Sequence, residues 1–218
     1  MKSRFIYIIL SILLVILISP YVKHIGKAGH IFTTLLAAMI PLTSFYALTA
    51  DRKRAIIILF LAAPFVILDG MGVFFAHPYL QIAALGFGII LYFYIVVLLV
   101  HNLLSYRVVT ANLIYCAIST YFLIAIMWSG VYMVLEHISP DSFSGISDPG
   151  DFLYFSFVTL TTVGFGDISP QSILSKRLVI FEAAMGGIYL AVIIAMIVGR
   201  YMSMKDIQDS ENEINPKN

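Results

Sequence analysis

The chain has 218 residues, of which 61% are hydrophobic and only 11% charged, with a mean hydropathy of +0.97. Soluble domains carry about 25% charged residues, so a water-soluble globular protein is excluded and a membrane protein is expected. The net charge of +1 gives no basis for binding nucleic acid.

A bilayer core is about 30 Å thick, and a spanning helix needs about 20 mostly apolar residues. Six stretches read as spans: 5–21, 31–49, 55–76, 79–103, 111–136 and 172–202. The first follows "MKSR" and so also fits a signal peptide. It shows no clear small-x-small cleavage site, and a retained helix is expected. The third carries Asp69 in "LDGMG", after Pro64. An ionisable group within a span is a candidate functional group by default. Asp69 is either a proton or ligand sensor, or a helix-packing carboxyl that is protonated or paired. The fourth span, "YLQIAALGFGIILYFYIVVLLVHNLL", has no Arg or Lys, so steep gating by moving charges is not expected. Cys116, the single cysteine, lies in the apolar fifth span and reads as a small buried residue.

Orientation follows the distribution of positive charge. With the N-terminus inside, the inner side holds Lys2, Arg4, Arg52, Lys53, Arg54, Arg107, Arg200, Lys205 and Lys217. The outer side holds Lys23, Lys27, Lys176 and Arg177. Both termini are therefore expected inside. His24, His30, His77, His101 and His137 scatter near span ends without metal-ligand spacing, and are expected to be interfacial.

Between the fifth and sixth spans the pattern changes. "HISPDSFSGISDPGD" is turn-rich and acidic, and "FLYFSFVTLT" (152–161) is apolar but too short to cross. A re-entrant helix entering from outside fits, with Asp148 as N-cap, Pro149 at the first helical position and Asp151 near the third. "VGFGD" then climbs back out. Non-helical backbone at membrane depth is tolerated only where protein buries it or an aqueous path runs beside it. Glycines at 164 and 166 alternate with Val163 and Phe165, and glycine adopts conformations that other residues resist. The alternation can turn successive carbonyls to one side, giving a ladder of oxygens from Thr162 to Phe165 with the Thr162 hydroxyl at its inner end. Four chains around an axis would surround a cation with oxygen and replace its hydration. The C-terminal end of the short helix would add partial negative charge.

The last span, "EAAMGGIYLAVIIAMIVGRYMS", places Gly186 and Gly187 near its middle. They read either as a gating hinge or as a close-packing patch with Ala183 and Ala184. Ile193, Ile194, Ile197 and Val198 are candidates for an apolar constriction below them. Glu182 either tunes the loop from behind or bonds to neighbouring helices. The tail after Tyr201 is polar and is expected to be frayed.

"TTVGFGD" resembles the selectivity-filter signature of potassium channels, whose usual form is TVGYG followed by Asp. The resemblance extends over outer helix, turret, pore helix, filter and inner helix, about residues 111–202. It implies K⁺ at Thr162, Val163, Gly164 and Phe165, with Gly166 completing the frame. Asp167 would brace the outer mouth. Thr161, Tyr154, Phe155 and Glu182 would support the filter, and Gly186 and Gly187 would serve as the hinge. Phe165 departs from the usual tyrosine and has no hydroxyl to donate, though its ring can still pack on the pore helix. Tyr154 and Phe155 stand where many relatives carry tryptophans.

The expected architecture is an all-α membrane protein with six transmembrane helices and a re-entrant pore helix and filter between helices 5 and 6. Residues 1–104 form a four-helix domain, 105–203 a pore domain and 204–218 a short cytoplasmic tail. The expected function is passive, K⁺-selective conduction through a homotetramer in the lipid bilayer of the cell (inner) membrane. One chain supplies one loop, and closing the carbonyl ring needs four. No cofactor beyond the permeant ion is expected. No nucleophile–base pair or phosphate loop is visible, so an enzyme is not expected. A non-conducting auxiliary subunit, a membrane sensor, or a component of a cation transporter are the alternatives.

Overall fold

Apolar stripes on helices pack the molecule together. The computed structural model describes residues 4–22, 26–48, 52–75, 77–106 and 108–214. Their order is α1 (Ile6–Val22), α2 (Lys27–Ala47), α3 (Arg52–Phe75), α4 (Pro78–Ser105), α5 (Ala111–Ile138), β1 (Phe143–Ser144), α6 (Asp151–Leu160), β2 (Ser169–Pro170) and α7 (Ile173–Ile214). Lys2, Lys23, Arg107 and Lys217, which enter the orientation argument, and His24, expected to be interfacial, lie outside the described residues.

Helix α4 shows how sequence becomes packing. Leu91, Ile95, Leu99 and Leu103 recur every fourth residue and are fully buried, because residues four apart share a helix face. They meet Leu113 and Cys116 of α5, with Ile8 and Ile12 of α1 and Ile58 of α3 in the same core. Within a bilayer, lipid is as apolar as leucine, so this stripe stabilises through close van der Waals contact rather than release of water. Pro20, Pro41 and Pro64 lie inside α1, α2 and α3. Membrane helices tolerate such breaks because neighbours re-satisfy the freed carbonyls. Pro78 opens α4 at a position where a missing N–H costs nothing.

Five helices are long and apolar enough to cross a membrane: Lys27–Ala47, Ile56–Phe75, Tyr79–Ser105, Ala111–Ile138 and Ile173–Lys205. The chain is thus a multi-pass, α-helical membrane protein. α1, expected as a sixth span, is 17 residues long. At 1.5 Å per residue it reaches about 26 Å, just under the hydrocarbon core. It is nonetheless integral to the fold, since Ile8 and Ile12 are fully buried and Ser119 Oγ of α5 donates to Phe5 O at 3.3 Å.

Two expectations change. The inner helix does not end at 202 with a frayed tail; α7 continues to Ile214. Residues 203–214 contain neither Gly nor Pro, and the first proline after the span is Pro216, so nothing local stops the helix. The all-helical expectation also omits a small clasp. Phe143 and Ser144 pair antiparallel with Pro170 and Ser169.

At its inner end α7 is tied to the four-helix half. Arg200 donates to Leu103 O (3.2 Å) and Leu104 O (3.3 Å) in the last turn of α4. A cation there complements the negative end of the helix.

Candidate functional site

Helix α6, expected as the pore helix, starts from a turn held by two aspartates. Asp148 Oδ1 accepts from Gly150 N at 2.6 Å, while Asp151 Oδ2 accepts from Ser147 N (2.7 Å) and Asp148 N (2.9 Å). These bonds close an aspartate turn just ahead of the helix. The expected N-cap at Asp148 and first helical position at Pro149 shift: the N-cap is Gly150, without a side-chain cap bond, and the first regular helical residue is Asp151.

At its other end the helix runs straight into the loop. Thr161 N donates to Phe157 O (3.0 Å) and Thr162 N to Thr159 O (2.9 Å), while Val163 N and Gly164 N both reach Val158 O (3.0 and 3.3 Å). Leu160 O accepts from the Tyr121 hydroxyl of α5 at 2.9 Å. The last turn thereby fixes the first residues of the loop.

The loop backbone then alternates in hand. Thr162 (φ 60°), Gly164 (φ 55°) and Gly166 (φ 81°) are left-handed, and Val163 and Phe165 between them are not. A β-branched residue at positive φ is a genuine outlier and costs about 1–2 kcal/mol. Such strain persists only where surroundings impose it, here the helix-end hydrogen bonds on either side of Thr162. A Cβ added at Gly164 or Gly166 would meet nothing within 4 Å, so the backbone angle and not space demands glycine there. Among the described residues, no donor reaches the carbonyls of Thr162, Val163, Gly164 or Phe165. Residues 161–167 are exposed on the single chain. Four successive carbonyls therefore have their hydrogen-bonding capacity unspent, where folded proteins pair nearly all buried ones.

The outer end is held by side chains. Tyr154 Oη donates to Asp167 Oδ2 at 2.8 Å. That bond raises the Tyr154 phenol above its ordinary pKa, so it remains a neutral donor. Gly145 (φ 83°) lies so close to the loop exit that a Cβ would sit 2.2 Å from Asp167 O. The clasp beside it is locked by Ser144 Oγ and Ser169 Oγ at 2.8 Å, and Ser142 O accepts from Gln171 N at 2.8 Å and Ser175 Oγ at 2.8 Å. Glu136 fastens the turret by accepting from Asp141 N (2.8 Å) and Phe143 N (3.2 Å).

Behind the loop, Phe155 packs edge-on against Phe143 and tilted against Tyr132, at 5.6 and 5.4 Å between ring centroids. Glu182 is fully buried and bonded to Tyr132 Oη and Ser156 Oγ. Phe165 differs from expectation. It is 71% exposed on the single chain, and among the described residues its ring pairs with no other aromatic ring.

The inner helix separates its two glycines. A Cβ at Gly186 would lie 2.2 Å from Leu160 O, whereas one at Gly187 would meet nothing. Gly186 thus lets α7 touch the end of the pore helix, and α7 runs unbroken through both positions. The four-residue constriction also divides. Ile193 (8% exposed) and Ile197 pack into the chain's own core, leaving only Ile194 and Val198 on the exposed face.

Asp69 lies apart from the loop. It accepts from Thr34 Oγ1 of α2, and its Oδ2 is 3.9 Å from His30 Nδ1. Both line a cavity of about 560 Å³ between α2, α3 and the pore-helix start at Asp148–Gly150. Among the described residues no cluster of His, Cys, Asp or Glu could hold a metal ion.

Sequence reasoning missed Tyr121, Tyr132, Gly145 and Ser156 as structural partners. Ser156 and the tyrosines carry no local signal, since their partners lie far away in sequence. Gly145 in "SFSGIS" reads only as a turn residue.

Residues 105–203 match the model of a family described as an ion channel. The match supports passive ion conduction, and a channel rather than an enzyme. Comparison with curated proteins and with solved structures finds no match to this chain.

Proposed function

We propose that this protein is a K⁺-selective channel and that four copies close one pore. The observation that carries this reading is the run of four carbonyls, Thr162 to Phe165, without a protein donor on a backbone of alternating hand. Such a run offers evenly spaced oxygens at the depth where a cation must shed water. A ring of four loops brings them to a common axis, and Gly166 and Asp167 finish the ladder at the outer mouth.

Two further features support the tetramer. The spanning part of α7 is 11% buried, against 56% for α5, which leaves α7 a long apolar face for neighbouring copies. Phe165, exposed on one chain, finds cover against the next. In this reading α1 is a sixth span, both termini are inside the cell membrane, and Lys27 and His30 face outward. Asp69, bonded to Thr34 and beside His30 on the cavity that reaches the start of α6, is a sensor site in the four-helix half.

The test is K⁺ flux in proteoliposomes with Na⁺ as the comparison. K⁺ flux well above Na⁺ flux is expected. Equal fluxes, or folded tetramer that passes neither ion, would overturn the reading in favour of a non-selective pore or an auxiliary subunit.

A further inference from the structure

We propose that Glu182 is a neutral carboxylic acid whose proton completes a strut across three helices, and that this strut positions the filter. The consequence for conduction rests on the channel reading above; the protonation does not.

Three oxygen–oxygen contacts meet behind the pore helix. Tyr132 Oη of α5 contacts Glu182 Oε2. Ser156 Oγ of α6 contacts Glu182 Oε1. The same Ser156 Oγ lies 2.8 Å from Ala125 O of α5. Each contact needs one hydrogen. A phenol and a hydroxyl bring one each, and a backbone carbonyl brings none. An ionised carboxylate also brings none, which leaves two hydrogens for three contacts. Ser156 cannot donate to Ala125 O and to Glu182 at once.

A protonated Glu182 resolves the count. Its acid O–H donates to Ser156 Oγ, Ser156 donates to Ala125 O, and Tyr132 donates to Oε2. Every polar atom in the set is then used. The surroundings agree with this assignment. Glu182, Ser156 and Tyr132 are all fully buried. The groups facing Glu182 are the Tyr132 phenol from α5 and the Ser156 hydroxyl from α6, with the Tyr121 phenol farther along α5 engaged by Leu160 O. Lys176 and Arg177 on its own helix are exposed, and among the described residues Glu182 makes no ion pair. A buried carboxylate without a cation is costly, and a neutral acid with every hydrogen bond made is not.

The strut matters because of where Ser156 sits. One helical turn later comes Leu160, and the final turn carries Thr162, Val163 and Gly164 on its carbonyls. A shift of Ser156 therefore moves the start of the filter. Glu182 is a positioning residue and does not touch the ion path.

The experiment uses the full chain in proteoliposomes. Infrared difference spectra between wild type and Glu182→Gln at neutral pH should show the carbonyl stretch of a protonated acid, which disappears in alkali. A carboxylate band at neutral pH would overturn the proposal. K⁺ flux supplies the second arm. Glu182→Gln keeps an N–H where the acid has O–H, so its flux should stay within about twofold of wild type and should lack the alkaline fall expected of wild type, while Glu182→Ala, which removes the carboxyl partner of Tyr132 and Ser156, should fall about tenfold at every pH. Equal loss in the Gln and Ala variants, or the wild-type alkaline profile in Glu182→Gln, would refute the positioning role. If wild type passes no ion at all, the channel reading fails and the infrared arm still decides the proton.

Discussion

The two halves of the molecule use their hydroxyls differently. In α1 and α2, Ser11, Thr33, Thr43 and Ser44 donate to carbonyls three or four residues back in their own helix, and of these only Ser11 and Thr43 also meet across helices, at 3.1 Å, among the described residues. A bond within one helix satisfies the side chain without tying helices together. In α5–α7 the hydroxyls reach across. Tyr121 bonds to Leu160 O, Ser156 to Ala125 O, Ser175 to Ser142 O, Tyr189 to Ala117 O and Tyr154 to Asp167. The first half is held by apolar packing that many residues can supply. The second is held by specific pairs, as expected where a loop must keep one conformation at membrane depth. Cross-helix hydroxyl contacts are fewer in the first half: Ser11 with Thr43 between α1 and α2, Tyr94 with Arg54 O between α4 and α3, and Thr34 with Asp69 on the cavity that reaches the start of α6.

Substitutions can press on this contrast. Gly164→Ala should have the largest effect. Its Cβ meets no atom, so the fold persists, but φ 55° disfavours any side chain; selective flux should vanish while circular dichroism stays unchanged. Wild-type selectivity in this variant would break the filter assignment. Gly186→Ala comes next. Its Cβ would lie 2.2 Å from the Leu160 carbonyl, a backbone atom that cannot swing aside. Thermal unfolding in detergent should show a loss of about 1–3 kcal/mol or more. Gly187→Ala, in open space, should instead gain about 0.5–1 kcal/mol from helix propensity. Equal effects at the two positions would contradict the packing role of Gly186.

Tyr154→Phe removes the bond to Asp167 without altering ring volume. K⁺ flux should start normally and decay faster than in wild type, most clearly at low external K⁺; an unchanged decay would show that the clasp alone holds the mouth. Ser44→Ala should do least. Ser44 is fully buried, yet among the described residues its hydroxyl bonds only to Ile40 O in its own helix, so a loss under about 1 kcal/mol is expected. A larger loss would erase the distinction between the halves.

Much of the pore half was legible from local sequence. A short apolar run after "DPGD" specified a helix that enters without crossing, and "TVGFG" specified a backbone of alternating hand. The turn of Asp148 and Asp151 ahead of α6 needed only three residues of spacing, although the N-cap itself falls on Gly150. What stayed hidden depends on distance or facing. Tyr132 and Ser156 lie 50 and 26 positions from Glu182, and no periodicity links them. Adjacent glycines look alike in sequence, and only the position of Leu160 separates Gly186 from Gly187. The split of Ile193 and Ile197 from Ile194 and Val198 was within reach, since residues four apart share a face. Helix α7 outruns its expected end because the polar residues 203–214 include no Gly or Pro to stop it.

The final turn of α6 has one more consequence. The carbonyls of Phe157, Val158, Thr159 and Leu160 each already hold a donor, the last from Tyr121. In the channel reading, an ion beneath the loop would feel their combined field but meet oxygens already shared with a donor. A weaker hold on the ion shortens its stay, and fast passage gains more from a gentle pull than from a trap.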